Sequence, residues 1–148
     1  MADVLLLFQR SSGIPHDITE QHLEEVRKAA VGKVYYCRTE EEAISKGIDT
    51  EILYAWCGSG RLPEAYCASS KKLKWIHTFS AGVDPILKSP IRELPVRITN
   101  AKGIHGKTMA LATIGYIISF LRSFPELYRN QLDHIWKKAA DPSPRECP

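Results

Sequence analysis

Two small-residue turns, each directly after a short β-rich segment, are the places where this sequence could do chemistry. Ser80–Gly82 follows the segment 74–79, and the turn at residues 100–103 follows the segment 97–99. A turn that leads from a strand into a helix leaves backbone N–H groups available at one edge of a sheet. Such groups bind anions, so the pair of turns predicts an anion site at this edge.

The first turn is the better candidate. Gly82 has no Cβ and lets the backbone come close to a ligand. The successive N–H groups of Ser80, Ala81, Gly82 and Val83 are suited to hold a carboxylate by charge-assisted hydrogen bonds. The alternative is an ordinary tight turn between a strand and a helix. Asp84, which comes next, is interpreted as a helix N-cap rather than as an acid–base group.

The other polar residues near these turns give weaker signals. Asn100 contacts substrate or cofactor, or it satisfies the backbone of its own turn. His105 stands at a predicted helix start with no carboxylate near it in sequence, which favours a structural histidine. The cysteines and histidines show neither Cys-x-x-Cys nor zinc-site spacing, so we predict no metal site and free thiols typical of a cytoplasmic protein.

The elements that position the turns alternate between strand and helix over short links. This pattern predicts a flavodoxin-like, doubly wound parallel sheet of five strands in the order 2-1-3-4-5. The predicted strands are residues 4–8, 33–37, 51–56, 74–79 and 96–99, and the predicted helices are residues 20–30, 40–46, 62–69 and 85–88. Ligands of such sheets bind beyond the carboxyl ends of the strands, where the loops 9–13, 56–60, 80–84 and 100–105 lie.

The C-terminal part departs from this alternation. Residues 109–121 are apolar nearly all round, and a small domain cannot cover every face of such a helix. Pro125 is expected to kink or break it before a second helical segment at 126–138. We therefore predict a flavodoxin-like domain at 1–103, long interdomain or dimerisation helices at 104–138, and a linker or tail at 139–148. The apolar stretch is shorter than the about 20 residues of a membrane span.

The overall charge and the first residues count against a nucleic-acid-binding protein and against a signal peptide. The net charge of +3 is too small to favour nucleic acid, and the basic cluster Lys71, Lys72 and Lys74 is interpreted as a solvated helix end. The first residues carry an early acid, Asp3, and a very short apolar run. They predict a first strand rather than a signal peptide.

An ordered series of motifs in residues 73–125 resembles the N-terminal, substrate-binding half of the D-isomer-specific 2-hydroxyacid dehydrogenases. The motifs are Leu73-Lys-Trp-Ile, Ser80-Ala-Gly-Val-Asp84, Thr99-Asn100 with Gly103 and His105, Met109-Ala110, and Arg122 followed by Phe124-Pro125-Glu126. Any one of them alone is weak, and their order gives the resemblance its specificity.

The resemblance implies a role for each turn. Residues 80 to 83, called the 80–83 turn below, would bind the substrate carboxylate through main-chain amides. Trp56, Cys57 and Asn100 would also contact the substrate. Thr108 would face the nicotinamide of NAD or NADP in the full-length enzyme, and helix 105–124 would form a homodimer. The enzyme would transfer a hydride between the cofactor and C2 of a 2-oxo or 2-hydroxy acid.

Other features of that family have no counterpart here. No Gly-x-Gly-x-x-Gly follows any predicted strand, and the family's catalytic arginine, glutamate and histidine have no matching positions. We therefore predict no catalytic residue, no cofactor bound by this chain alone and no activity of the chain alone. Pro144-Arg145-Glu146 resembles the lead-in to the missing cofactor domain, so the chain is expected to stop at a domain boundary. Leu111 stands where the family commonly has a glutamate.

Two other functions remain open. One is a flavodoxin-type FMN electron carrier, with Ser11-Ser12-Gly13 as a phosphate loop and Trp56 stacked on the flavin. Pro15, the non-acidic charge and the unexplained match at 73–125 count against it. The other is a non-catalytic interaction module that dimerises through the apolar helix.

Overall fold

The computed structural model describes residues 2–8, 17–57 and 62–137 of the 148-residue chain, which falls into two compact units, Met1–Gly103 and Ile104–Pro148. The strands of the first unit are β1 (Val4–Leu7), β2 (Val34–Cys37), β3 (Ile52–Ala55), β4 (Trp75–Thr78) and β5 (Arg97–Asn100). Its helices are α1 (Glu20–Ala29), α2 (Glu40–Ser45), α3 (Glu64–Ser69) and α4 (Asp84–Leu87), with a 3-10 helix at Pro90–Glu93.

The five strands form one parallel sheet in the order β2-β1-β3-β4-β5, which confirms the predicted fold class and strand order. Their register aligns the last residues of the strands, Cys37, Leu7, Ala55, Thr78 and Asn100, in one row. The loops that follow these residues therefore start at the same edge of the sheet. In open parallel sheets this is the edge that binds ligands.

The two faces of the sheet are covered by different helices. On one face, the wholly buried Ile76 belongs to a core cluster with Tyr66 of α3 and Ile86 of α4. On the other face, Leu6 clusters with Leu23 of α1. Because successive strand residues point to opposite faces, a strand buried on both sides needs a continuous apolar run. The run in β1 satisfies this requirement.

The starts of α1 and α2 are fixed by threonines. The Thr19 hydroxyl accepts a hydrogen bond from the backbone N of His22 at 3.5 Å, and the Thr39 hydroxyl accepts from that of Glu42 at 3.2 Å. His22 Nδ1 in turn accepts from the backbone N of Thr19 at 3.1 Å. The imidazole thus completes a capping box in place of the usual glutamate, a role that the sequence did not indicate.

Some local predictions were wrong. Asp84 is the first residue of α4 rather than its N-cap, and the N-cap position belongs to Val83, without a side-chain capping bond. Asn100 ends β5 instead of opening the turn. Pro90–Glu93 is a 3-10 helix where a plain connection was expected. The predicted loops at 9–13 and 58–60 and the tail at 139–148 lie outside the described residues.

The second unit contains two helices in its described part, α5 (Gly106–Leu121) and α6 (Phe124–Leu132). Neither contains a buried residue. The predicted break is present: α5 ends before Ser123, which has a left-handed φ of 53°, and Pro125 lies in the first turn of α6. Proline fits that position because the first N–H groups of a helix have no intrahelical acceptor. None of the described helices combines the length and apolar character that crossing a membrane requires.

Candidate functional site

The 80–83 turn follows β4 after one residue, Phe79, and is held by hydrogen bonds to its carbonyl groups. The Ser80 carbonyl accepts from the backbone N of Ala101 at 3.1 Å, and the Ala81 carbonyl accepts from Asn100 Nδ2 at 2.5 Å. The Gly82 carbonyl accepts from Ser80 Oγ at 2.8 Å. Three successive carbonyls are therefore occupied by donors of the protein itself.

This pairing determines the direction of the amides. In a planar trans peptide, the C=O of one residue and the N–H of the next point in opposite directions. The N–H groups of Ala81, Gly82 and Val83 therefore point away from the donors that hold the three carbonyls. Within the described residues none of these three amides has a hydrogen-bond acceptor. The turn presents three adjacent donors, which is the arrangement that binds an anion.

The three adjacent donors belong to the turn and not to a long helix end, because α4 has only four residues. The Gly82 φ lies outside the left-handed region, and a Cβ added there would meet only Asp84 Oδ2, at 3.7 Å. The backbone would thus accept a side chain at this position, and the space in front of Gly82 is open. The exposed Asp84 carboxylate beside the turn opposes the binding of an anion, although solvent screens it.

Asn100, for which the sequence left two alternatives, satisfies the backbone of a turn, and it is the neighbouring turn rather than its own. Its side-chain amide is the donor that occupies the Ala81 carbonyl. Asn100 also ends β5, in register with Thr78 at the end of β4. The residue therefore connects β5 to the 80–83 turn, and its predicted contact with substrate remains a prediction.

The two predicted site residues after β3 differ in exposure. Trp56 is half-buried, whereas Cys57 is 1% exposed and belongs to the main core cluster. Burial raises the pKa of the Cys57 thiol to about 11, so the thiol is neutral and unreactive at physiological pH. The backbone N of Cys57 donates a hydrogen bond to Thr78 Oγ1 at 3.1 Å.

Thr78 is a residue of this site that the sequence analysis missed. Its side chain is fully buried, and its hydroxyl also accepts from the backbone N of Ser80 at 3.1 Å. The available signal was a β-branched polar residue at the end of a strand. That signal is not specific, because threonine is common in strands for its packing alone.

The remaining predicted residues lie away from the 80–83 turn in the chain. Thr108 is in the first turn of α5 and belongs to the second unit, and its contact with a cofactor remains a prediction. His105 occupies the N-cap position of α5 without a side-chain capping bond. His77, within β4, shares a 2.8 Å hydrogen bond between its Nδ1 and Thr99 Oγ1, and burial lowers its pKa. We interpret both histidines as structural.

Cofactor and metal sites were tested on the same residues. A dinucleotide needs a glycine-rich turn between a strand and a helix for its pyrophosphate, and no Gly-x-Gly-x-x-Gly is present in the sequence. The sequence therefore lacks this fingerprint of a dinucleotide site. No group of three or more His, Cys, Asp or Glu side chains within the described ranges is arranged to hold a metal ion.

Sheet order defines a flavodoxin-like α/β protein, and its 80–83 turn, with three amides directed away from the protein's own donors, lies at the carboxyl edge of the sheet. The structure is similar to that of a D-isomer specific 2-hydroxyacid dehydrogenase family protein from Aeromonas salmonicida subsp. salmonicida A449, with a TM-score of 0.67 and 25% sequence identity. The match covers 94% of this chain and 42% of that protein, so the chain spans less than half of its length. No family model matches the chain. The family resemblance indicated by the motifs at 73–125 is confirmed by this structural match.

Proposed function

We propose that this chain is the substrate-binding portion of an NAD(P)-dependent D-2-hydroxyacid dehydrogenase. The observation that carries the proposal is the 80–83 turn, whose Ala81, Gly82 and Val83 amides point away from the protein donors on its carbonyls. A 2-oxo or 2-hydroxy acid has one carboxylate, and three adjacent N–H donors can supply hydrogen bonds to its oxygens. The turn would fix the carboxylate and so orient C2.

The chemical step requires groups that this sequence does not supply. In the complete enzyme a dinucleotide domain would hold the cofactor, which supplies or accepts the hydride, together with the acid–base groups. This chain binds and orients the carboxylate and forms one wall of the substrate site. We therefore expect no reduction of glyoxylate, hydroxypyruvate or another 2-oxo acid by the 148-residue chain alone.

The decisive experiment is a titration of the isotope-labelled chain followed by amide NMR. D-lactate is expected to shift the Ala81, Gly82 and Val83 amides in a saturable manner, and D-lactamide, which lacks the charge, is expected to leave them unchanged. Equal responses to both compounds, or no response to either, would refute the carboxylate site.

A glycine substitution sharpens this test. Gly82→Ala adds a Cβ whose nearest contact is an ordinary 3.7 Å, so the variant is expected to fold. The added methyl occupies the approach of the ligand, and loss of one charge-assisted hydrogen bond costs about 1.5–3 kcal/mol. D-lactate affinity should fall by roughly 10- to 150-fold. Gly115→Ala makes the same change in α5, where a Cβ meets nothing within 4 Å, and should bind D-lactate as the wild type does.

We also propose that the chain forms a homodimer through helix 105–124 and acts in the cytoplasm. The apolar residues of α5 are exposed throughout its length, and a symmetric pair of such helices is the simplest closed way to cover them. Cys37, Cys57 and Cys67 are free, buried thiols, which agrees with a reducing compartment.

A further inference from the structure

The hydroxyl of Thr78 joins two loops at the carboxyl edge of the sheet. The main-chain bond from Phe79 N to the Ala55 carbonyl, at 3.1 Å, links β4 to β3 at this edge. One step further, the Cys57 amide donates to Thr78 Oγ1, and the Ser80 amide donates to the same oxygen, both at 3.1 Å. A side chain thus takes the place of a backbone acceptor where the two strands diverge.

This double acceptor fixes both ends of the proposed site. Cys57 begins the loop after β3, and Ser80 is the first residue of the 80–83 turn. With its amide held by Thr78, Ser80 uses its carbonyl to accept from Ala101 and its own hydroxyl to donate to the Gly82 carbonyl. Two of the three hydrogen bonds that direct the outward amides therefore involve a Ser80 held by Thr78, and the third joins Asn100 to the Ala81 carbonyl.

We propose that Thr78 is a positioning residue for the anion site: its hydroxyl sets the 80–83 turn against the loop after β3, so that the Ala81, Gly82 and Val83 amides converge on one carboxylate. This inference rests on the proposed carboxylate-binding function of the turn. Thr78 itself is fully buried and does not contact a ligand, so its effect passes entirely through Ser80 and Cys57.

The test compares two variants at position 78 with the wild type. The probe is oxamate, an unreactive analogue of a 2-oxo acid. Thr78→Val keeps the branched shape and removes the hydroxyl, whereas Thr78→Ser keeps the hydroxyl and removes a methyl. Oxamate affinity is measured by NMR on the 148-residue chain at a temperature well below the unfolding midpoint of each variant. Thr78→Val is expected to bind oxamate roughly tenfold more weakly, from the loss of hydrogen bonds that place the donors, and Thr78→Ser is expected to stay near the wild type.

A second measurement does not depend on how the variants fold. In the wild type, oxamate is expected to slow hydrogen exchange at the Cys57 and Ser80 amides, because the ligand stabilises the arrangement that these bonds maintain. Unchanged exchange at both amides in a chain that binds oxamate would overturn the inference, as would a folded Thr78→Val with wild-type affinity. Both results would leave the proposed function standing. A wild type that does not bind oxamate would instead overturn the proposed function and the inference with it.

Discussion

The two units of the chain contain the same apolar residue types, but they bury them very differently. In the first unit, Leu53 and Ile76 are fully shielded from solvent. In the second unit, Ile117 of α5 is 53% exposed and Phe120 is 74% exposed. Burying a large aliphatic side chain contributes about 1.5–3 kcal/mol, so buried side chains stabilise the first unit, whereas the side chains of α5 and α6 gain little in this way.

The difference shows that apolar content alone does not identify a core. Most of the stability of a helix in a protein comes from tertiary packing, and isolated helices shorter than about 12–15 residues are marginal in water; α5, with 16 residues, is only slightly longer. The described part of the second unit provides no buried position for its apolar side chains. We infer that these side chains serve an interface, whereas those of the first unit drive folding.

The largest expected effect follows from that inference. The wild-type chain should self-associate at high micromolar concentration, and the double variant Ile117→Lys, Phe120→Lys should sediment as a monomer, because two charges on the exposed face prevent apolar pairing. Sedimentation velocity over a concentration series measures both species. A wild type that remains monomeric throughout would show that no such pairing exists, and it would remove the argument for a homodimer.

The same substitution in the two units tests the comparison at single residues. Ile76→Ala removes a wholly buried side chain of β4 and is expected to lower the free energy of unfolding of the first unit by about 2–5 kcal/mol. Ile117→Ala should change that free energy by less than about 0.5 kcal/mol. Urea denaturation of both variants, at concentrations where the chain is monomeric, gives the two values. Comparable losses would mean that α5 contributes to the core, contrary to its exposure.

The sequence predicted the fold more completely than it predicted the candidate site. The fold class followed from the alternation of strand and helix patterns, each of which is set within its own segment, such as the apolar run of β1. The bonds that shape the 80–83 turn join residues distant in sequence: Thr78 with Cys57 and Asn100 with Ala81. They depend on the register between strands, which a local pattern does not contain.

At two helix starts, residue type was a misleading guide to the capping contact. Asp84 is a favoured capping residue, but the turn before it places Val83 at the N-cap position. His22 is not the usual residue of a capping box, yet its Nδ1 reaches the Thr19 amide as a glutamate would. In both cases the conformation of the backbone decided the contact, and residue type alone did not.

The smallest effects are expected at glycines, where the two units should respond with opposite sign. At Gly32, after α1, a Cβ would overlap the Ala2 carbonyl, which is backbone and cannot move aside as a flexible side chain does. Gly32→Ala should therefore destabilise the first unit by about 1–3 kcal/mol, the usual cost of overpacking. At Gly115 in α5 a Cβ meets nothing within 4 Å, and alanine favours a helix over glycine by about 1 kcal/mol.

Gly115→Ala should therefore raise the helix content of the second unit without changing the unfolding of the first. Far-UV circular dichroism at low concentration and urea denaturation separate the two responses. A destabilising Gly115→Ala, accompanied by weaker self-association, would place Gly115 at a close helix–helix contact between copies. A neutral Gly32→Ala would show that the segment before β1 can move away, and that the close packing at this end of the sheet contributes little to the first unit's stability.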